Sequence, residues 1–117
     1  MKSFGSSQEF IFGDEMEWET VGTGVKRKIM AYDDKIMLVN VQFDEGGIGP
    51  MHDHYHSQTT YVVSGEFELT IGKETKLMKA GDAFYIPPHV SHGAICKKAG
   101  VLIDVFSPIR EDFMENS

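Results

Sequence analysis

Residues 46–65 read Gly-Gly-Ile-Gly-Pro-Met-His-Asp-His-Tyr-His-Ser-Gln-Thr-Thr-Tyr-Val-Val-Ser-Gly. Three histidines and a glutamine lie at short spacings between glycines, just before a strand-like run. A second histidine patch, His89 and His92, follows, so all five histidines of the chain fall between residues 52 and 92. Because imidazole is a favoured ligand of divalent transition metals, this stretch predicts one metal site assembled from two parts of a small barrel.

Four residues form the candidate ligand set. His52 and His54 are two residues apart, so both imidazoles point to the same face of an extended segment. Gln58 has the same parity, and a bulge before it would let its side chain turn inward. His92, on a separate strand, completes the set. Zinc, nickel, manganese and iron(II) are all compatible with these ligands, and the alternative is a polar loop with adventitious metal affinity.

His56, His89 and Cys96 do not belong to the candidate ligand set. His56 is open between a residue supporting the ligands, one lining the pocket mouth and an exposed loop histidine. His89 is expected to be structural or to lie at the rim. Cys96, the single cysteine, is expected to be a small buried strand residue rather than a reactive thiol.

Size and charge narrow the class of protein. The 117 residues allow one domain, and we expect a core over about residues 16–108 followed by a polar, frayed tail from Arg110 to Ser117. A net charge of −7 argues against a nucleic-acid partner, and Lys26-Arg27-Lys28 is expected to be a solvated strand edge. The chain has no apolar run of about 18 residues for a membrane span and no signal-peptide core. With one cysteine, this predicts a cytoplasmic protein.

Short strand-like segments divided by turn residues recur along the chain, and none shows a sustained helical period. We predict strands near Phe10–Phe12, Met16–Val21, Val25–Ala31, Ile36–Phe43, Gln58–Ser64, Phe67–Ile71, Thr75–Lys79, Ala83–Ile86, His92–Lys97 and Val101–Ser107. About ten short strands in one small domain predict an all-β fold, an antiparallel sandwich or jelly-roll barrel.

Two of these strands, Ile36–Phe43 and Val101–Ser107, are apolar on both faces. A barrel strand needs only its inner face for the core, so an apolar outer face requires other cover. A second subunit is the simplest cover, and we therefore predict a homodimer.

Three residues near the end of the chain are candidates for chemistry. Asp104 shares a strand face with Phe106, and a carboxylate is costly to bury unless it is paired or functional. It is either a general acid/base or a structural carboxylate. Arg110 is suited to bind a substrate carboxylate or forms a surface ion pair with Glu111 or Asp112. Phe106 either stacks on the flat face of a ligand or fills the pocket.

The glycine and histidine spacing resembles the two motifs of the cupins. The first motif is matched by Gly46, His52, His54, Gln58 and Gly65, and the second by Gly81, Pro87 and His92. Three positions depart from the usual pattern: Gln58 replaces Glu, His89 replaces Gly and Cys96 replaces Asn. Three neutral imidazoles and a neutral amide would leave a bound ion its full +2 charge, which favours Lewis-acid chemistry over redox cycling.

Within the cupins, the chain most closely resembles the KdgF-type pectin-degradation proteins. The matching segments run from Glu17-Trp18-Glu19 and Gly24–Ile29 to Ile103–Pro108 and Arg110–Phe113. The resemblance implies a single-domain cupin barrel and Asp104, Phe106 and Arg110 as catalytic residues. It implies a small anionic sugar as substrate: cyclic 4,5-unsaturated monouronates are converted to linear 5-keto-4-deoxyuronates. The alternatives are a non-catalytic sugar-binding cupin and a metal-dependent oxygenase.

Overall fold

The computed structural model describes residues 3–114 and consists mainly of antiparallel strands. A 3-10 turn at Gly13–Glu15 precedes these strands and a one-turn helix, α1 (Glu111–Met114), follows them. The strands are β1 (Glu19–Gly22), β2 (Val25–Asp33), β3 (Ile36–Phe43), β4 (Ile48–His52), β5 (Ser57–Ile71), β6 (Glu74–Lys79), β7 (Ala83–Ile86) and β8 (His92–Ser107). The predicted all-β antiparallel fold is confirmed.

The strands belong to one sheet in the order β1-β2-β3-β8-β5-β6, with β4 also paired to β8 and β7 to β5. The long strands β5 and β8 pair along most of their length, and each has a different second neighbour at its two ends. The sheet therefore winds around an interior that β2, β3, β5 and β8 line together. Within the described residues, no helix is long and apolar enough to cross a membrane.

Four of the predicted strands form only two strands in the structure, β5 and β8. Glycine explains this difference. Gly65 and Gly100 read as breaks in the sequence, but they lie inside β5 and β8. A Cβ atom on Gly65, which has a φ of +83°, would lie 2.5 Å from the Lys98 carbonyl oxygen. A Cβ atom on Gly100 would lie 2.0 Å from the Ser64 carbonyl oxygen. The two backbones approach so closely at this bulge that only glycine fits.

Other strand predictions have mixed outcomes. The ranges Ile36–Phe43 and Ala83–Ile86 are confirmed. The strand at Phe10–Phe12 is wrong: this segment has no strand partner and exposes both aromatic rings. Strand β4 went unpredicted, because its Gly49-Pro50 pair reads as a turn although it lies at a sheet position where proline is tolerated.

The apolar core forms where inward positions of the central strands meet. Alternate residues of β3, from Met37 to Phe43, are buried, as their two-residue period requires. They pack against residues of β5, and the Phe43 and Phe67 rings meet edge to face at 5.2 Å. Cys96 is unpaired and buried, as predicted.

The prediction of a frayed tail from Arg110 is wrong for residues 110–114. Ile109 and Arg110 are buried, and Phe113 and Met114 of α1 pack against the core. The acidic residues of this segment made it look solvated, but its apolar residues cover one end of the barrel. Residues 115–117, which belong to the same prediction, lie outside the described residues.

Candidate active site

A cavity of about 290 Å³ lies inside the barrel. Its walls are largely apolar, with a few polar side chains converging on it, which is the usual character of a small-molecule site. The cavity brings together most of the site residues that the sequence predicted: His52, Gln58, His92, Asp104, Phe106 and Arg110. They come from β4, β5, β8 and the segment after β8.

Three histidines converge beside this cavity. His52 ends β4 and is directly paired with His92, the first residue of β8, and their rings lie 4.3 Å apart between centroids. His54 follows in the loop after β4, with its ring 4.8 Å from that of His92. One nitrogen from each imidazole lies within 4.8 Å of the other two, so the three can hold a metal ion.

Backbone carbonyl groups orient all three imidazoles. Each ring places Nδ1 within 3.1 Å of a carbonyl oxygen two residues away, which belongs to Pro50, Val90 or His56. A carbonyl oxygen only accepts hydrogen bonds, so Nδ1 carries the proton and Nε2 keeps its lone pair. Burial lowers the pKa of His92 to about 4 and also lowers the pKa of His54. Burial therefore favours the neutral form of the His54 and His92 rings, and in all three rings Nε2, the nitrogen that would bind a metal, is left available.

Gln58 supplies an oxygen to the same place. Its Nε2 donates to Thr60 Oγ1 at 3.0 Å and to Asp104 Oδ1 at 3.4 Å, which directs Oε1 toward His54. This Oε1 lies 3.0 Å from His54 Nε2, so two acceptors face each other. His92 Nε2 is buried and has no hydrogen-bond partner among the described residues. A cation bound by these atoms would satisfy all of them, so the donor set fits a divalent transition metal.

Asp104 lies on the inner face of β8, beside Gln58. Thr60 Oγ1 donates to its Oδ1 at 2.7 Å, which completes a hydrogen-bond chain from the Gln58 amide through Thr60 to the carboxyl group. Burial raises the pKa of Asp104 to about 6, although Thr60 and the nearby Arg110 charge oppose the shift. Such a carboxyl group changes protonation near neutral pH, as a general acid/base must. Thr60 was not among the predicted site residues. It lies two residues after Gln58 on the same strand, so both side chains face inward, and this pattern could have indicated it.

Arg110 is buried and lines the cavity. Its Nε and Nη2 donate to the two carboxylate oxygens of Asp112, at 2.9 and 2.7 Å. Its guanidinium carbon lies 5.0 Å from the Phe106 ring centroid and 4.2 Å from that of Phe113. The predicted ion pair with Asp112 thus exists, but it holds the arginine at the cavity instead of at the surface.

His56 belongs to a second polar cluster, which joins the histidine loop to the end of the chain. It is 2% exposed, so the exposed-loop interpretation is wrong. Its Nε2 lies 2.8 Å from Glu111 Oε1 and 3.1 Å from the Ile109 carbonyl oxygen. The Tyr55 hydroxyl also donates to Glu111, and this bond raises the pKa of Tyr55 to about 12. The cluster fastens the segment that carries Arg110 to the loop that carries His54.

The side chain of His89 is exposed and is not among the residues that line the cavity. Its backbone N–H donates to the His54 carbonyl oxygen at 2.7 Å, and its φ is +67°. Its contribution is therefore to the shape of the loop.

Arg27 corrects the expectation of a solvated edge at residues 26–28. Its side chain is 12% exposed and lines the cavity. By contrast, Lys26 and Lys28 both lie over Trp18. The sequence indicated this position, because Arg27 lies on the same strand face as Val25 and Ile29, and that face is turned to the interior of the barrel.

Comparison with known proteins places this architecture in a family. Residues 39–106 match the cupin domain. The pectin degradation protein KdgF of Dickeya dadantii is 42% identical over 109 residues, which cover 92% of this chain and 99% of that protein. This chain belongs to the KdgF family of cupins. A KdgF structure from Halomonas sp. is 39% identical, covers 92% of this chain and 99% of its own, and superposes with a TM-score of 0.87.

Two further relatives extend this picture. A cupin structure from Shewanella frigidimarina is 46% identical, with a TM-score of 0.91 over 94% of this chain and 99% of that one. H2HPP isomerase of Bacillus subtilis is 34% identical over 97 residues, which are 80% of this chain but 39% of that protein. The KdgF family thus matches this chain along nearly its whole length, whereas the isomerase matches it over part of a longer protein.

Proposed function

We propose that this protein is a metal-dependent isomerase that converts cyclic 4,5-unsaturated monouronates, the sugars released by pectin and alginate lyases, to linear 5-keto-4-deoxyuronates. The observation that carries this proposal is the hydrogen-bond chain Gln58–Thr60–Asp104, set in a chain of the KdgF family. It joins a carboxyl group with a pKa of about 6 to a cluster of candidate metal ligands.

The reaction is an isomerisation in two stages. In the first stage, the C1–O5 bond of the hemiacetal breaks, C1 becomes an aldehyde, and the proton of its hydroxyl passes to O5, which leaves an enol at C5. In the second stage, the enol loses its O–H proton, C5 becomes a ketone and C4 gains a proton. No oxidant, reductant or second substrate is consumed.

Asp104 is the residue proposed to move the proton. Its ionised carboxyl group takes the proton from the enol oxygen, and the resulting acid delivers it to C4. A pKa of about 6 keeps both protonation states accessible near neutral pH, where such a group is most effective. Thr60 and Gln58 hold the carboxyl group in place through their hydrogen bonds.

The remaining residues bind and orient the substrate. Arg110 is proposed to hold the sugar carboxylate, and its buried setting strengthens that attraction in a protein whose net charge is −7. Phe106 offers an aromatic face to the sugar ring. His52, His54, Gln58 and His92 would hold one divalent ion, with zinc, nickel, manganese and iron(II) as candidates. Such an ion supplies Lewis-acid stabilisation of the developing oxygen anion, commonly worth several kcal/mol.

The test follows the ultraviolet absorbance of the conjugated C4=C5–carboxylate group. Lyase-generated unsaturated galacturonate is mixed with the metal-loaded protein, with and without a chelator. We expect loss of absorbance well above the spontaneous rate, abolished by the chelator. Binding of the sugar without acceleration, by protein shown to contain metal, would contradict the proposal and identify a non-catalytic sugar-binding cupin.

We also propose that the protein is a homodimer located in the cytoplasm. On the outer face of β3, β8, β5 and β7, strand pairing links Leu38 to Val105 and, through Thr59, to Tyr85, so three of the four residues in this row are apolar or aromatic. Ile103 and Tyr61 lie directly opposite each other in the next row. Tyr61 and Tyr85 are about half exposed, and a second copy would cover this face. The unpaired, buried Cys96 fits a reducing compartment.

A further inference from the structure

Arg27 is a charged residue of the cavity that the proposed mechanism does not use. It extends from β2 toward the interior, where the apolar Val41 and Leu102 also line the cavity. Its side chain is 12% exposed. A guanidinium in such surroundings loses much of its hydration, so acceptors must replace the lost water.

The structure supplies only part of those acceptors. Arg27 Nε donates to Glu19 Oε1 at 2.8 Å across the β1–β2 pair. Among the described residues, Glu19 is the only side chain that accepts from this guanidinium. An arginine has five N–H donors in a planar fork, so the N–H groups of Nη1 and Nη2 have no side-chain acceptor among the described residues, and the arginine that carries them lines the cavity. That arrangement is suited to two neighbouring oxygen acceptors of a ligand.

Arg27 and Arg110 share one aromatic ring. Their guanidinium carbons lie 3.8 Å and 4.2 Å from the centroid of Phe113, so the two carbons are at most about 8 Å apart. Glu19 neutralises one arginine and Asp112 the other, and neither carboxylate lines the cavity. Two cationic groups this close can both reach a single sugar ring in a cavity of about 290 Å³.

The two arginines have different neighbours within that cavity. Arg110 contacts Phe106, which lies two residues from Asp104 on β8. Arg27 instead lies across β3 from Leu102, because Val41 pairs with both residues. The two guanidiniums are therefore carried by different parts of the chain, β2 and the segment after β8. A monouronate has one carboxylate but several hydroxyl oxygens, so the second arginine has a different oxygen group to bind.

We propose that Arg27 is a specificity-determining residue that donates from Nη1 and Nη2 to adjacent ring hydroxyl oxygens of the monouronate, away from the carboxylate held by Arg110. The identity of the sugar rests on the proposed function. Arg27 then makes the site select a polyhydroxylated sugar acid over a simple unsaturated carboxylate, because an unfilled fork would remain desolvated and unpaired.

The test compares four variants of the metal-loaded protein, Arg27→Met, Arg27→Lys, Arg110→Met and Lys26→Met, on the unsaturated monouronate and on its methyl ester. With the free acid, Arg27→Met should raise KM roughly 10- to 100-fold, the usual effect of lost charged hydrogen bonds, while kcat falls far less. Arg27→Lys should recover part of the loss. With the ester, which lacks the carboxylate charge, the effect of Arg110→Met should largely disappear and that of Arg27→Met should persist.

Lys26→Met is the matched control, because Lys26 neighbours Arg27 but lies over Trp18. It should leave both constants unchanged, and melting temperatures check that each variant is folded. An unchanged KM in Arg27→Met, or an Arg27→Met effect that vanishes with the ester, would overturn the proposal. If the wild type binds the sugar without converting it, the proposed function fails and the same comparison is made on dissociation constants. If the wild type does not bind the sugar at all, both the proposed function and the proposed role of Arg27 are contradicted.

Discussion

The side-chain oxygen of Gln58 lies 3.0 Å from Nε2 of His54, although neither atom carries a proton to share. The imidazole proton is on Nδ1, where the His56 carbonyl oxygen accepts it, and the amide N–H groups of Gln58 are directed to Thr60 and Asp104. Two acceptors held together by their other hydrogen bonds are prepared for a cation. The same bonds connect that cation site to Asp104.

The first prediction concerns the metal site. His52→Ala and His92→Ala should each lose bound metal and activity together, because three neutral nitrogens and one amide oxygen leave no spare ligand. Metal content is measured by elemental analysis after dialysis. His89→Asn is the control: it changes an exposed histidine to a residue that tolerates a positive φ, and it should keep the metal. Full metal content in His92→Ala would contradict the proposed ligand set.

The second prediction separates Asp104 from the metal. Asp104→Asn should lower turnover by roughly 10²–10⁴, the range for loss of a general acid/base, while metal content stays unchanged. Wild-type activity should fall as the pH drops below about 6, because the Asp104 carboxylate that accepts the proton becomes protonated. That acidic limb should be absent from the residual activity of the variant. Near-normal turnover in Asp104→Asn would remove this residue from the mechanism.

The third prediction concerns the stability of the metal-free protein. Burial raises the pKa of Asp104 from 3.8 to about 6, so the folded state binds the proton more tightly than the unfolded state. Between these pH values the folded state holds more protons, and the contribution of Asp104 to stability falls as the pH rises through this window. Above it, Asp104→Asn should stabilise the protein by up to about 3 kcal/mol. Denaturant unfolding in chelator at pH 4 and pH 7.5 tests this: the gain should appear only at pH 7.5.

Much of the site was predictable because its residues lie at fixed local spacings. His52, His54 and Gln58 fall within seven positions, and their spacing between glycines, together with His92, indicated shared ligation. Thr60 and Arg27 were harder to identify. An inward threonine looks like any other strand residue, and Arg27 is flanked by two lysines, so its parity with Val25 was outweighed by the charge of its neighbours.

The fold was predictable to a similar extent and failed for a related reason. Short apolar, strand-like segments bounded by turn residues located β3 and β7, because such patterns are local. The continuity of β5 and β8 depends on a close approach between Gly65 and Gly100, which are far apart in sequence, so each glycine read as a break. The ordered end of the chain depends on Phe113 reaching the core, which a local excess of charge concealed.

The last prediction tests the proposed dimer. Tyr61 is 51% exposed, in the apolar face of β5 and β8, and Leu77 is 49% exposed on β6. Both substitutions Tyr61→Glu and Leu77→Glu should therefore leave the fold intact. Placing a charge in a buried interface without a partner opposes association, so Tyr61→Glu should be a monomer by light scattering at micromolar concentration. Wild type and Leu77→Glu should both be dimers, and a monomeric wild type would show that the apolar face has another purpose.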